Sequence, residues 1–362
     1  MKKIIFLLNH LQYSDGVAKV LTDICNYLPP EKYDITVKAV YKKDEDYIKN
    51  FNPNIKVHSF LGFYVRGLDK ILDKIPTRFL YRRMVRDKYD VEVAFQYGIS
   101  TKVIAASENR DAVHVAWMHT YDDGLILKQY YEKMDRVICV SKCNAERLKN
   151  ETNGSVKAEY CYNLVDDSKL KCNAEEKLEF AAVHRPILVS VGRHSAEKGY
   201  IRLLHILHQL KAAGKEFECW LIGNGPEHEK LTELVSELGL SDCIVLTGAQ
   251  KNPHKYTAKA DIFICSSFSE GYSTACTEAA VLGIPIITTD VSGGKEIIET
   301  AECGMLVGMS DEELKKGIEY ALDHPDVLNQ WKKIAKVTAE KFGLNDRKKR
   351  MIDKFEELCH LK

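Results

Sequence analysis

Short runs of branched and other apolar residues alternate along the chain with longer stretches whose apolar positions recur every three or four residues. Runs too short for a helix and apolar on both faces read as strands of parallel sheets. The longer periodic stretches read as the helices that cover them. In the first half the runs 3–8, 35–39, 91–95, 114–118 and 136–140 predict strands, with a helix at 18–28 that Pro29-Pro30 end. In the second half strands are predicted at 186–191, 218–222, 244–246, 262–265 and 284–288, with helices at 199–213, 227–238 and 274–282. Helices at 311–323, 326–342 and 345–361 follow. The stretch 158–177 is polar and shows neither period, so the junction is placed there, near Asn163-Leu164-Val165-Asp166. The expected organisation is a first domain at 1–163, a second at 164–344, and a closing helix at 345–362 that packs back on the first. The fold class is α/β, with two doubly wound parallel-sheet domains. Such sheets take ligands outside the carboxyl ends of their strands. Two halves facing one another would form one cleft, with site residues in the loops that follow strands.

A length of 362 residues fits two domains, or three at most, at about 100–200 residues each. Lys and Arg number 52 and Asp and Glu 52. That balance excludes a nucleic-acid binder driven by overall basicity, and no aromatic-interleaved nucleic-acid signature occurs. No run approaches the ~18 apolar residues of a membrane span. Met1-Lys2-Lys3 before Ile4-Ile5-Phe6-Leu7-Leu8 mimics a signal peptide, but the apolar run is too short and reads as a first buried strand. The 11 cysteines are scattered, without C-x-x-C, and Cys139 and Cys143 lack a histidine pair at metal-ligand spacing. Cys139 and Cys265 sit inside apolar runs, where they act as small core residues. A reduced, cytoplasmic protein is expected.

The strongest constellation follows the predicted strand 262–265. In Ser266-Ser267-Phe268-Ser269-Glu270-Gly271-Tyr272-Ser273-Thr274, a glycine turn opens a helix with Ser273 or Thr274 as N-cap. A helix start after a glycine is an anion site, because free N–H groups and the helix dipole point at the ligand. Glu278 lies about one turn further, roughly 6 Å along the axis at ~1.5 Å per residue, where a carboxylate can accept from both ribose hydroxyls. Glu270 stays in the loop, facing whatever group the phosphate carries. Taken alone, the two glutamates could merely complement the helix dipole. A second strand, 186–191, ends in Gly192-Arg193-His194-Ser195-Ala196-Glu197-Lys198-Gly199. Arg193 as a fork and Lys198 as a point charge suit a pyrophosphate, although a solvated loop with a Glu197/Lys198 surface pair is the plainer alternative. Gly223-Asn224-Gly225-Pro226 and Thr247-Gly248-Ala249-Gln250 follow two further strands.

These four loops, in this order and spacing, resemble the retaining glycosyltransferases of family four, which have the GT-B fold; the Glu-x7-Glu pair Glu270/Glu278 is their signature. The close resemblance covers residues 187–299, and the first half is similar more loosely, as an acceptor-binding domain would be. The resemblance implies that Arg193, Lys198, Ser273 and Thr274 hold the donor diphosphate, and that Glu278 binds the ribose with the backbone around Gly248 on the base. Glu270, Gly271 and Tyr272 would contact the sugar. The family often has Gly and then Leu-Pro after the aromatic. Here Ser273-Thr274-Ala275 stand instead, so the resemblance bears less on the sugar contacts than on the phosphate contacts. In the first half, Gly16 matches a glycine-rich turn facing the cleft, with an ordinary helix-start turn as the alternative. His119, at the end of 114–118, matches a histidine that touches the donor sugar near the reacting centre. Asp122 and Tyr97 are acceptor candidates on loops. The resemblance further implies retention of anomeric configuration, a uridine diphosphate sugar, and a lipid-linked or polysaccharide acceptor.

The rival readings come from other classes. A paired-carboxylate glycosidase would flank one bond from opposite faces, whereas Glu270 and Glu278 both face one phosphate site. An NAD oxidoreductase would need G-x-G-x-x-G, but Gly223-Asn224-Gly225 continues Pro226-Glu227-His228. A nucleotide-sugar epimerase of the same shape and a non-enzymatic two-lobed sugar-binding protein are retained. Asp44-Glu45-Asp46 is formally a D-x-D metal motif but lies in a charged, helix-opening stretch; no metal and no other cofactor is expected. The segment 64–88 carries eight basic against three acidic residues, interleaved with apolar ones. It suits either an anionic membrane surface or a helical hairpin with a solvated basic face.

Overall fold

The computed structural model describes residues 1–12, 16–121, 128–179 and 186–362. The chain forms two compact units, Met1–Leu164 with Asn345–Lys362, and Val165–Leu344.

The first unit is a seven-stranded sheet of β1 (Lys2–Leu8), β2 (Tyr33–Ala39), β3 (Lys56–Ser59), β4 (Val91–Ala94), β5 (Val113–Met118), β6 (Arg136–Cys139) and β7 (Ala158–Tyr160). The order is β3-β2-β1-β4-β5-β6-β7, and every pairing is parallel. Strand β1 lies inside with Ile4 to Leu8 all buried, which explains its unbroken apolar run: both faces are covered. The strand order reverses between β1 and β4, so the crevice for a ligand opens at their carboxyl ends.

The second unit is a six-stranded sheet of β8 (Ile187–Val191), β9 (Glu218–Ile222), β10 (Ile244–Gly248), β11 (Ile262–Cys265), β12 (Ile286–Thr289) and β13 (Met305–Val307). Its order is β10-β9-β8-β11-β12-β13, again parallel throughout, with the reversal between β8 and β11. Its helices show the expected start signals. Ser310 and Glu313 form a capping box at the helix Asp311–Asp323, whose Leu314, Ile318 and Ala321 are buried.

Three edge strands were not anticipated. β3 reads Lys-Val-His-Ser and is half-exposed, β7 is Ala-Glu-Tyr, and β13 has only three residues. An edge strand pairs on one side and has no need of an apolar run. The stretch 158–177 is therefore not featureless. It holds β7 and the helix Asp167–Ala174, capped by Asp166, which accepts from Lys169 N at 3.0 Å. In the segment 64–88, Leu72, Leu80, Tyr81 and Met84 from the helices Leu68–Leu72 and Thr77–Met84 enter the core of the first unit. Of the cysteines, Cys143 and Cys172 are exposed and the other nine are buried.

Candidate functional site

In the second unit the reversal point brings together the loops after β8 and β11. Lys198 Nζ donates to Glu270 Oε1 at 2.6 Å, and Ser267 Oγ donates to the same oxygen at 2.7 Å. The Lys198 ammonium is mostly buried. Burial works against its charge, but the Glu270 carboxylate more than offsets that and holds its pKa above the ordinary lysine value. The backbones are laced as well: Ser266 Oγ donates to Lys198 O at 2.8 Å, and Phe268 N to Glu197 O at 2.7 Å. Gly199 makes this approach possible. Its φ is +66°, and a Cβ there would overlap the Ser266 carbonyl.

Beyond Glu270, Ser273 caps the helix Thr274–Val281, its hydroxyl oxygen accepting from Cys276 N at 3.2 Å. That helix start, with Thr274 as its first residue, is where the sequence reading places the diphosphate. Glu278, one turn on, lies with Oε2 3.4 Å from His254 Nε2. The loops after β9 and β10 join the array through backbone contacts. Gly223 N donates to Gly248 O at 3.0 Å, and His194 N to Asn224 O at 3.0 Å. Thus four strand-end loops form one connected rim, carrying a cation, a carboxylate and a helix start.

The structure does not bring every expected residue into this network. Arg193 remains on the surface, its side chain 63% exposed and paired with Glu197 at 3.0 Å. Glu197 is thus the partner of Arg193 and not of Lys198. Gly271 and Tyr272 are buried, and the Tyr272 ring packs against the turn at Gly293, where φ is +76° and a Cβ would clash with it. Tyr272 therefore shapes the loop from within. Arg202 was missed. It is buried, donates to the carbonyls of Ser266, Ser267 and Met309, and lies 3.8 Å from the Phe268 ring centroid. The only sequence signal was a charge within an otherwise apolar helix face. His254 beside Glu278 gave no signal at all.

In the first unit, His119 follows β5 and sits half-buried with Nε2 3.0 Å from Phe95 O. A carbonyl only accepts, so Nε2 carries the proton. Burial lowers the imidazole pKa to about 4, leaving Nδ1 a bare acceptor at neutral pH. Gln96 turns inward and accepts from Asn9 N and His10 N, whereas Tyr97 beside it is exposed. Among the described residues nothing lies within 4 Å of a Cβ at Gly16, so none of them demands a glycine there. Asp122 lies outside the described residues. Asp44 spends its carboxylate as an N-cap for Asp46 N and Tyr47 N, and Asp46 pairs with Lys49.

Two wound α/β units, the second with this rim on its strand-end loops, are the make-up of the GT-B fold. Residues 174–338 match the family model of the glycosyl transferases group 1. Over 275 residues the chain is 28% identical to the N-acetylgalactosamine-N,N'-diacetylbacillosaminyl-diphospho-undecaprenol 4-alpha-N-acetylgalactosaminyltransferase of Campylobacter jejuni, covering 74% of this chain and 73% of that one. Among solved structures it is similar to a sucrose-phosphate synthase from Thermosynechococcus elongatus, with a TM-score of 0.82 at 18% identity over 99% of both chains. It is likewise similar to Anabaena HepE in complex with UDP, with a TM-score of 0.77 at 16% identity, covering 98% of this chain and 100% of that one. The fold is GT-B, and the chain is similar to glycosyltransferases of bacterial glycan assembly.

Proposed function

We propose that the protein is a retaining glycosyltransferase. It moves a hexose or N-acetylhexosamine from a uridine diphosphate sugar to a hydroxyl of a lipid-linked or polysaccharide acceptor. The observation that carries this reading is the Lys198–Glu270 pair set beside the helix start at Thr274. Breaking the sugar–phosphate bond leaves negative charge on the diphosphate. Lys198, the Ser273–Thr274 helix start and the surface Arg193 supply the compensating positive potential without a metal. When the diphosphate takes Lys198, Glu270 is released to accept from a sugar hydroxyl. Glu278 accepts from the ribose, and the backbone near Gly248 meets the base. The bare Nδ1 of His119 suits acceptance from a sugar hydroxyl. For retention, the acceptor oxygen bonds to the anomeric carbon on the face the phosphate oxygen leaves, and its proton passes to that phosphate oxygen. The UDP in complex with Anabaena HepE supports the donor class, and the undecaprenol-linked acceptor in the name of the Campylobacter jejuni relative supports the acceptor class.

Membrane contact through 64–88 belongs to the same reading. Val65, Ile71 and Phe79 are exposed there beside Arg66, Lys70, Lys74 and Arg78, a composition suited to an anionic surface. Among the described residues, no helix is long and apolar enough to cross a membrane.

The test is thermal stability with a panel of nucleoside diphosphates, for wild type and Lys198→Ala. A ligand at ~100 times its Kd adds about 2.7 kcal/mol to the native state. One diphosphate should stabilise the wild type, and the variant should lose most of that response. No response to any of them at saturation would sink the transferase reading. Release of free nucleotide only with acceptor present separates transfer from epimerisation.

A further inference from the structure

The carboxylate of Glu278 is approached from the side. Its Oε2 lies 3.4 Å from His254 Nε2, and the two side chains are only 13% and 12% exposed. His254 opens the short helix His254–Thr257, between β10 and β11. The far edge of its ring is engaged too, with Nδ1 3.4 Å from Asn173 Nδ2. Asn173 belongs to the helix Asp167–Ala174, 81 positions away along the chain but within the same unit. Asn252 clips the two segments together. Its Nδ2 donates to Asn173 O at 2.8 Å, and its Oδ1 accepts from His254 N at 3.1 Å.

This network decides where the imidazole proton sits. An amide nitrogen only donates, so Nδ1 accepts from Asn173 and Nε2 carries the proton. Turning the amide to place a lone proton on Nδ1 would set a bare Nε2 against the Glu278 carboxylate, two acceptors facing one another. Nε2 therefore carries a proton whether the ring is neutral or charged. That N–H is buried and makes no hydrogen bond among the described residues. A buried donor left unpaired is costly, and the Glu278 carboxylate is an acceptor within reach. Because the N–H is buried, a ligand meets Glu278 and not His254.

A carboxylate has about four lone-pair sites. One taken by His254 leaves three, enough for two neighbouring hydroxyls. A glutamate that must be ordered on binding loses affinity to its rotamer entropy, whereas one already held does not. We propose that His254 is a positioning residue: backed by Asn173, it presets the Glu278 carboxylate for a ribose diol and makes the site prefer a ribonucleotide to its 2′-deoxy form. The assignment rests on the transferase reading, which puts the ribose at Glu278.

Calorimetric titration of the full chain tests it, with UDP, ADP and GDP and the 2′-deoxy form of each. The ribonucleotide that binds wild type should bind about ten- to a hundredfold more tightly than its 2′-deoxy form, as for a hydrogen bond to a charged group. His254→Ala should shrink that ratio about threefold or more. His254→Gln, whose amide still donates, should keep most of it. In Glu278→Ala the ratio should fall near one, and His254→Ala added to it should change the ratio no further. If the alanine variant at 254 does not fold, His254→Phe, which fills the space without a donor, takes its place. An unchanged ratio, an equal weakening of both nucleotides, or a ratio lost as fully in His254→Gln each overturns the proposal. A wild type that binds a ribonucleotide and its 2′-deoxy form alike overturns it too, while the nucleotide-binding basis of the transferase reading stands. If no ribonucleotide binds wild type, both fall.

Discussion

At the residue scale, two imidazoles show how burial sets chemistry. The neutral form of His119 is a consequence of its seat against Phe95, and the same holds for His194. His194 is 0% exposed, with Nδ1 2.9 Å from His228 Nδ1 and a pKa that burial, then His228, lowers to about 4. Both folded values lie below the unfolded value near 6.5, so the unfolded chain binds more protons between the two. Stability is therefore complete above pH 6.5 and is lost as the pH falls toward 4. Urea unfolding at pH 7 and 4.5 should show this, and in His119→Gln the loss on acidification should be smaller by about 2–3 kcal/mol. An equal loss in wild type and variant would mean that His119 is already charged in the folded protein. Residue identity was legible for Lys198, Glu270 and Glu278 because each sits at a fixed offset from a glycine turn. The roles of Arg193 and Arg202 were not. Both are arginines near the same turn, and only the fold decides which one is buried against carbonyls.

At the scale of elements, the strand-end turns are held by glycines whose need differs from place to place. Gly199 and Gly239 have nearly the same φ, +66° and +64°, but a Cβ at Gly199 overlaps the Ser266 carbonyl while at Gly239 nothing among the described residues lies within 4 Å. Gly239→Ala should cost about 1 kcal/mol, the strain of a left-handed alanine. Gly199→Ala should cost at least about 2 kcal/mol more, because the β8 and β11 loops must part. It should also abolish the nucleotide-induced rise in melting temperature. Equal melting losses in the two variants would show that the loops are not held together at Gly199. The helices Leu68–Leu72 and Thr77–Met84 invite a second measurement at this scale. Flotation with phosphatidylglycerol vesicles should exceed that with phosphatidylcholine vesicles and fall several-fold in Val65→Ser/Phe79→Ser, each basic residue contributing ~1 kcal/mol near such a surface. Binding indifferent to lipid charge would assign those basic residues to solvent. Strands with two covered faces were legible as apolar runs; β3, β7 and β13 were not, since an edge strand needs no such run.

At the scale of the whole molecule, the chain returns to its first unit after completing its second. The helix Leu344–Cys359 carries this return. Phe355 is buried between Phe6 and Trp117, with ring centroids at 5.8 and 5.9 Å. Lys354 pairs with Glu159 on β7, and Arg347 donates to Asn163 O at 2.8 Å. Sequence positions beyond 345 are thus part of the first unit's core. Phe355→Ala should destabilise that unit by about 3–5 kcal/mol. Because the second unit has its own core, the variant should still respond to the nucleoside diphosphate that stabilises wild type. A loss of less than about 1 kcal/mol would mean that the helix is not structurally committed to the first unit.

What the sequence by itself determined is local: the alternation of apolar runs and periodic stretches, the glycine turns at strand ends, and a helix opened by an N-cap at Ser273 or Thr274, of which the structure selects Ser273. Each is set within a few residues, by propensity and turn chemistry. What only the tertiary structure decided is which of those pieces meet. Lys198 and Glu270 are 72 positions apart, and they pair because β8 and β11 are neighbours at a reversal of strand order. The packed rings of His10, Tyr41 and Tyr64 come from the loops after β1, β2 and β3, and no single stretch of sequence contains them. Periodicity places a residue within its element, but strand order and register place it beside its partner, and those are settled by the packing of the whole unit.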